Sequence, residues 1–301
     1  MKRNTPFGLG WQPDLPDIRD YTPEHPDVKK VLVKSKALQA ASAGLPSAVD
    51  LSAWCSPIED QGQLGSCTAN AGVGLFEYFQ KRAYGEYLDG SRLFLYKATR
   101  NLLGLTGDTG AYLRSTMGAM RLFGVTPETY WPYVVSQFDD EPPAFCYAFA
   151  QNYQALTYYR LDLYGSAPEQ TLDTVKQYIA AELPCMFGFT VYSSIWGADV
   201  TGKIPFPDPG ETVEGGHAVV AIGYDDDIEI GNTTGALKIR NSWGSGWGSQ
   251  GYGWLPYEYI LQGLADDFWS LLNAEFIATK LFSDMPSWAG KAKPRSPLIK
   301  V

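Results

Sequence analysis

The hydrophobic periodicity of this chain changes from helical to strand-like near its middle. Before the change, apolar residues recur at helical spacing, which predicts helices at about 27–41, after the loop in 61–84, at 111–122 and at 168–181. After it, short apolar runs predict strands at 186–191, 218–224, 237–239 and 251–255. This order indicates an α+β fold with a mainly helical first lobe and a mainly β second lobe.

Charge and apolar patterning exclude several classes of protein. The 301 residues carry a net charge of −9, which argues against nucleic acid or anionic lipid as the main partner. No segment approaches the roughly 20 apolar residues of a membrane helix. The two basic residues near the N-terminus precede no apolar stretch, so they do not form a secretory signal. We expect a monomer that is cytoplasmic by default, with other export routes left open.

A glycine-bearing loop leads into one of the predicted helices and carries a cysteine. It runs from Gln61 through Gly65 and Ser66 to Cys67, which falls in the first helical turn. Unpaired N–H groups and the positive end of the helix dipole stabilise a thiolate at such a position. The Gln61 amide and the Cys67 backbone N–H together suggest an oxyanion hole. The alternative is a small buried residue that begins a core helix.

Only one of the two histidines lies in a setting that suits catalysis. His25 lies in a Pro-flanked polar stretch that predicts an exposed turn, whereas His217 follows two glycines and begins a predicted strand. Polar residues 225–232 predict the turn of an antiparallel hairpin, whose ends would bring His217 next to Asn241. The asparagine can then accept from one imidazole nitrogen and leave the other for the thiol. Trp243 can exclude water from that hydrogen bond.

Cysteine, histidine and asparagine in this order suggest a nucleophile, its base and the group that orients the base. Taken alone, a strand histidine or an asparagine before a turn is usually structural, but here the two positions converge. If Cys67 is a free nucleophile, Cys55, Cys146 and Cys185 can form at most one disulfide. No metal-ligand spacing or phosphate-binding loop is present, so we expect neither a metal nor a cofactor.

These motifs resemble those of papain-like cysteine peptidases, in particular the compact bacterial branch of that family. The resemblance runs from about residue 49 to 273 and rests on the loop ending at Cys67, the surroundings of His217 and the Trp/Gly-rich turn after Asn241. It implies a papain-like fold, with a helical left lobe, an antiparallel β-barrel right lobe and the active site in the cleft between them. It also implies a cysteine endopeptidase that cleaves peptide or protein substrates through a thiolate–imidazolium pair and an acyl-enzyme.

The resemblance assigns roles to individual residues. Its catalytic group is Cys67, His217, Asn241 and Gln61, supported by Gly65, Ser66 and Trp243. It further implies that the Gly110-Ala111 backbone pairs with extended substrate. The backbone at Gly216, with Tyr112 and Leu113, would line the pocket for the second residue before the cut bond. Trp247 would form part of the leaving-group side.

The chain departs from the family pattern at three positions near these residues. Leu64 stands where the family usually has a cysteine, so a familiar disulfide is absent, and Thr68 replaces a Trp or Tyr. Ala111 replaces the second glycine of the substrate-pairing backbone. Two alternative functions stay open: an exopeptidase with one end of the cleft blocked, and an inactive binding scaffold.

Outside the catalytic domain of about 49–285 (helical lobe to about 155, mainly β lobe from about 156), the sequence predicts an N-terminal extension at 1–48 and a tail at 286–301. The extension carries apolar residues in a Pro-stiffened stretch, which would prefer a surface to lie on: Phe7, Leu9, Trp11 and Leu15. One interpretation is a disordered leader. The other is a cover over part of the cleft that inhibits the enzyme and is removed, as in a zymogen.

Overall fold

The computed structural model describes residues 6–35 and 44–273. The α-helices within them are α1 Pro26–Ser35, α2 Cys67–Tyr84, α3 Arg92–Leu103, α4 Leu113–Leu122, α5 Ala144–Ala150, α6 Pro168–Ala180 and α7 Glu258–Leu261. The strands are β1 Ala48–Asp50, β2 Ala155–Arg160, β3 Cys185–Tyr192, β4 Val213–Ile230, β5 Thr233–Arg240, β6 Tyr252–Pro256 and β7 Ala265–Asn273. Helices therefore dominate the first half and strands the second.

All seven strands join one antiparallel sheet in the order β2-β7-β3-β4-β5-β6, with β1 paired to β4. Strands β4 and β5 form the predicted hairpin. Its turn is tighter than the sequence indicated, because β4 continues to Ile230, which pairs with Thr233. The acidic residues read as turn formers instead lie in an irregular stretch of the ladder between Asp225 and Glu229. A bulge accommodates extra residues without ending the strand.

Helix α2 is the central helix of the first lobe, and all but three of its residues are buried. It ends at Tyr84, where the sequence predicts, with Lys81 and Arg82 in its last turn. Gly85 follows in the left-handed region (φ 74°). Its N-terminus carries Cys67, and its length packs against β4, the strand that carries His217. The two predicted reactive residues therefore lie on neighbouring elements.

Some elements were predicted from the sequence and others were missed. The predicted helices at α2, α4 and α6 and the strands β3 to β6 are confirmed within a few residues at most ends. Helix α3 was missed, although Ser91 caps its first turn by accepting from the Phe94 N–H at 3.1 Å. Strands β2 and β7 and helix α5 were also missed. The tail at 286–301 lies outside the described residues, as do 36–43, onto which the predicted first helix extends.

The N-terminal segment lies on the body rather than apart from it. Trp11 is 6% exposed and forms a parallel β-bridge with Ala111, whereas Leu15 is 84% exposed and does not pack as expected. Arg160 of β2 donates its backbone N–H to the Tyr21 carbonyl at 2.8 Å. Among the described residues, no helix is both long and apolar enough to cross a membrane.

Candidate active site

The open end of the β4–β5 hairpin brings His217 and Asn241 together. The ladder pairs Val220 with Arg240, which leaves both residues at the same end. His217 Nε2 lies 2.7 Å from Asn241 Oδ1. Because a carbonyl oxygen only accepts, Nε2 carries the proton and Nδ1 is left as a base. His217 Nδ1 is buried without a hydrogen-bond partner among the described residues.

Asn241 is held by a short chain of hydrogen bonds that reaches the loop before Cys67. Its Oδ1 also accepts from the Ser242 N–H at 2.8 Å, and the Ser242 hydroxyl donates to Gln61 Oε1 at 2.6 Å. This fixes the Gln61 amide so that Nε2 faces the opposite way. Gln61 Nε2 donates to the carbonyls of Leu64 (2.8 Å) and Gly8 (3.0 Å). The Gln61 side chain thus presents a donor to a peptide carbonyl.

Aromatic rings enclose the imidazole. Trp243 stacks on His217 with ring centroids 4.4 Å apart, as the sequence suggested, and Trp247 meets Trp243 edge-on at 5.5 Å. Phe189, paired with His217 across β3 and β4, meets the imidazole edge-on at 5.8 Å. These rings exclude water, which strengthens the hydrogen bond between His217 and Asn241.

Cys67 is the first residue of α2 and is fully buried. Burial raises the pKa of its thiol to about 11, although backbone hydrogen bonds, the largest from Ala218 and Gly10, act in the opposite direction. Burial likewise lowers the pKa of His217 to about 4 against the hydrogen bond to Asn241. With the cleft covered, burial therefore favours the neutral form of both groups.

The loop before Cys67 is fixed by a second set of contacts. Ser66 Oγ lies 2.6 Å from the Tyr133 hydroxyl, and Asn70 donates its side-chain amide to the Ser66 carbonyl at 3.0 Å. Gly65 donates its N–H to Asp108 at 2.9 Å.

The other cysteines are all buried free thiols: Cys55, Cys146 and Cys185. No cluster of His, Cys, Asp or Glu in the described ranges could hold a metal ion.

Residues 7–12 lie across this site and cover Cys67. Phe7 stacks on Trp243 with ring centroids 4.7 Å apart, and it lines the same groove as Trp247. Gly8 donates its N–H to the Gly62 carbonyl at 2.9 Å, and its own carbonyl accepts from Gln61. This part of the extension therefore lies over the cleft.

The same segment pairs with the backbone that was expected to hold substrate. Ala111 donates its N–H to the Gly10 carbonyl at 2.8 Å and accepts from the Gln12 N–H at 3.1 Å. Trp11 donates its N–H to the Gly216 carbonyl at 3.1 Å. Gly110 has φ 71°, and a Cβ there would lie 2.1 Å from the Gly10 carbonyl oxygen. Only glycine allows this approach.

The Trp11 side chain fills a pocket next to that backbone. Its ring lies on Gly188, where a Cβ would be 1.9 Å from Trp11 Cε2. Its Nε1 donates to Asp267 Oδ2 at 3.1 Å. Asp267 is fully buried, and burial raises its pKa to about 7 against the nearby Arg160. Sequence reasoning missed both Gly188 and Asp267, because β3 and β7 meet here only through the sheet and no motif surrounds either residue.

The remaining predicted pocket residues follow Ala111 directly. Tyr112 precedes α4 in an extended conformation, and Leu113 is the first, fully buried residue of that helix. Both residues lie beside the backbone that pairs with the segment, and their role in lining a substrate pocket stays a prediction.

Comparison with known proteins agrees with this geometry. Residues 45–264 match the family model described as papain family cysteine protease. The chain belongs to the papain family of cysteine proteases. Its fold is the papain-like one, and as a family member it is a cysteine peptidase, a hydrolase.

Among solved structures, the chain is similar to xylellain, a cysteine protease from Xylella fastidiosa. The two are 35% identical with a TM-score of 0.74, over 90% of this chain and 98% of xylellain. An uncharacterised peptidase C1-like protein of Acanthamoeba polyphaga mimivirus is 33% identical over 216 residues, 70% of this chain and 68% of that protein. Cathepsin K of Gallus gallus is 29% identical over 70% of this chain, and the match spans 59% of the cathepsin.

Proposed function

We propose that this papain-family protein is an endopeptidase with Cys67 as nucleophile, His217 as general base and acid, and Asn241 as the group that orients the imidazole. The observation that carries the proposal is the hydrogen bond between His217 Nε2 and Asn241 Oδ1, which leaves Nδ1 as the only basic nitrogen of the ring. Cys67 at the start of α2 supplies a thiolate position favoured by the helix dipole.

The reaction proceeds through an acyl-enzyme. His217 Nδ1 takes the Cys67 proton, and the thiolate sulfur attacks the carbonyl carbon of the peptide bond. The oxyanion accepts hydrogen bonds from Gln61 Nε2 and the Cys67 backbone N–H. The C–N bond breaks as His217 returns the proton to the leaving amine. A water molecule, deprotonated by His217, then hydrolyses the thioester and releases the carboxylic acid.

Two contacts in the covered cleft support this assignment. The Gly8 carbonyl accepts from Gln61 Nε2, so a peptide carbonyl fits at the proposed oxyanion position. The segment also extends to both sides of Cys67, with Phe7 against Trp243 and Trp11 against Ala111. A cleft that holds an extended chain on both sides of the nucleophile suits an endopeptidase better than an exopeptidase.

The test is a comparison of substrates and of one substitution. The protein without residues 1–43, which include the segment over Cys67, should hydrolyse an internally quenched peptide that is blocked at both ends. Cys67→Ala should abolish that activity. Cys146→Ala, which changes a buried thiol on α5, is the matched control and should stay active. Hydrolysis of free-ended dipeptide substrates alone would instead establish an exopeptidase, and activity that survives Cys67→Ala would disprove the mechanism.

We further propose that residues 7–12 inhibit the enzyme. The Gly8 carbonyl lies at the proposed oxyanion position, and Trp11 lies in the proposed pocket for residues that precede the cut bond. The segment therefore runs from the reacting centre into that pocket with rising residue number. Substrate residues before the cut bond would run the opposite way. The segment therefore occupies the cleft with the polarity opposite to that of a substrate and offers no bond in a cleavable orientation.

Deleting residues 1–43 tests this inhibition. The deletion leaves β1 and all other strands of the sheet in the chain. We expect kcat/KM on the blocked peptide to rise at least about 10-fold, because the segment no longer competes with the substrate for the cleft. Thermal unfolding of the shortened protein is the control for folding. A folded deletion variant with unchanged kcat/KM would show that the segment does not inhibit.

A further inference from the structure

Asp108 joins the loop before Cys67 to the backbone that pairs with the segment. Asp108 Oδ1 accepts two hydrogen bonds, one from the Gly65 N–H at 2.9 Å and one from the Tyr96 hydroxyl at 2.8 Å. The Tyr96 hydroxyl in turn accepts from the Gly110 N–H at 3.0 Å. Three hydrogen bonds thus connect Gly65, two residues before Cys67, with Gly110, one residue before Ala111.

Both ends of this connection need help to stay in place. Gly65 lies in a loop with glycines at 62 and 65, and Leu64 offers no thiol for a cross-link. Gly110 has φ 71°, which a glycine adopts without strain, but a glycine backbone can also change easily to other conformations. A carboxylate that accepts from a backbone N–H makes a charge-assisted hydrogen bond, which is stronger than a neutral one.

The Asp108 side of the connection is itself firmly anchored. Tyr96 is a fully buried residue of α3. The preceding residue of the loop, Gly107, donates its N–H to Asp139 at 2.9 Å, and its carbonyl accepts from Arg100 at 2.6 Å. Asp108 therefore projects from a fixed loop, so that its carboxylate sets the position of Gly65 rather than the reverse.

We propose that Asp108, together with Tyr96, is a positioning residue for peptide hydrolysis. It keeps the oxyanion donors around Cys67 in register with the substrate-pairing backbone at Gly110-Ala111. This inference rests on the proposed endopeptidase function. Neither residue touches the reacting atoms. Their effect is on where the carbonyl of a backbone-paired substrate lies relative to the oxyanion donors, on which the stabilisation of the tetrahedral intermediate depends.

The experiment compares two reactions of Cys67 in the full-length chain. Hydrolysis of the blocked peptide requires the oxyanion donors and the paired backbone. Alkylation by iodoacetamide, followed by mass spectrometry of the Cys67 peptide, requires only the thiolate. Both require an uncovered cleft, so the ratio of kcat/KM to the alkylation rate constant cancels the fraction of molecules that are covered.

Asp108→Ala should lower this ratio about 10-fold or more, through kcat rather than KM. Asp108→Asn should restore it to within about 3-fold, because the amide oxygen can still accept from both Gly65 and Tyr96. Tyr96→Phe should lower it to an intermediate value, because only the Gly65 contact remains. Asp140→Asn, at an exposed carboxylate next to Asp139 in the chain, is the matched control and should leave the ratio unchanged.

The outcomes separate this inference from the function on which it rests. An unchanged ratio in Asp108→Ala, or an equal fall in Asp140→Asn, would overturn the positioning role. If Asp108→Ala fails to fold, the Tyr96→Phe and Asp108→Asn ratios decide in its place. A wild-type protein that is alkylated at Cys67 but hydrolyses no peptide, even with residues 1–43 removed, would instead overturn the proposed endopeptidase function.

Discussion

At the scale of single residues, the contact with Asn241 leaves one ring nitrogen of His217, Nδ1, available as a base. Asn241 Oδ1 can only accept, so it accepts a hydrogen bond from the Nε2–H group, and the two heavy atoms lie 2.7 Å apart between the rings of Trp243 and Phe189. The tautomer and the ring orientation follow from this one contact. Loss of the asparagine would leave the ring free to rotate and to change tautomer.

Asn241→Ala should therefore lower kcat/KM about 10- to 100-fold, the effect expected when a buried hydrogen bond of the reacting group is lost. Asn232→Ala, in the exposed turn of the same hairpin, should leave activity unchanged. Steady-state kinetics on the blocked peptide, in the protein lacking residues 1–43, measures both. Full activity in Asn241→Ala would remove the orienting role.

A second residue-scale effect concerns stability and lies away from the active site. Glu77 of α2 is buried, and burial raises the pKa of its carboxyl from 4.5 to about 7, although the Gly90 N–H donates to it at 2.9 Å. Between these values the folded protein binds a proton that the unfolded chain has released. The contribution of Glu77 to stability is therefore complete at low pH and is lost as pH rises through about 7.

Glu77→Gln removes this titration. Between about pH 5 and pH 8, the melting temperature of Glu77→Gln relative to that of the wild type should rise with pH. Calorimetry across that range checks the slope, and Glu86→Gln, at an exposed carboxyl just after the same helix, should behave as the wild type. Parallel curves for Glu77→Gln and the wild type would mean that Glu77 is ionised in the folded state throughout.

At the scale of elements, the N-terminal segment packs closely against the loop that precedes Cys67, because the residue of the segment at the point of closest approach is a glycine, Gly10. A Cβ at Gly10 would lie 1.9 Å from the Gly65 carbonyl oxygen, far inside contact distance. Backbone atoms at this place cannot move aside cheaply, since Gly65 is tied to Asp108. The alternation of glycine with larger residues, Phe7-Gly8-Leu9-Gly10-Trp11, thus allows both close backbone approach and side-chain anchoring.

Gly10→Ala should push the segment off the cleft without any deletion. Overpacking of this kind costs about 1–3 kcal/mol, so we expect iodoacetamide to label Cys67 in the full-length chain about 10-fold faster or more. Gly197→Ala is the matched control, because a Cβ at Gly197 would meet no atom within 4 Å. Equal labelling rates in the two variants would contradict the tight fit at Gly10.

At the scale of the whole molecule, several contacts far apart in sequence hold the extension in place. Arg114 of α4 pairs with Asp14 and with Asp20, the latter at 2.7 Å, and buried Arg160 of β2 donates to the Asp14 carbonyl at 2.9 Å. Together with Trp11 in its pocket, these contacts bind residues 6–21 to the rest of the protein.

A synthetic peptide of residues 6–21 should therefore inhibit the protein that lacks residues 1–43, competitively with the blocked substrate. Replacing Trp11 by alanine in the peptide should weaken inhibition about 30-fold or more, as expected for a buried tryptophan anchor. Replacing the exposed Leu15 by alanine is the control and should change little. If the Trp11 and Leu15 replacements weaken inhibition equally, the pocket is not the anchor.

The sequence by itself determined the order of lobes, most of the periodic elements and the candidate catalytic residues. These depend on local patterns: helical or strand spacing, a loop before a helix, and the two ends of one hairpin. It also indicated that Phe7 and Trp11 would seek a surface. Membership of the papain family rests on the same motifs and was confirmed by the comparisons.

Only the tertiary structure decided which surface the extension covers and in what state the site lies beneath it. The pocket of Trp11 is made by Gly188 and Asp267, which come from strands brought together by the sheet, and no local pattern specifies such a meeting. Burial likewise raises the pKa of Cys67, and that burial includes backbone groups of Gly10 and Trp11, which lie more than about 50 residues earlier in the chain. The sequence gives the chemical type of each reactive group, whereas the burial of that group depends on the tertiary fold.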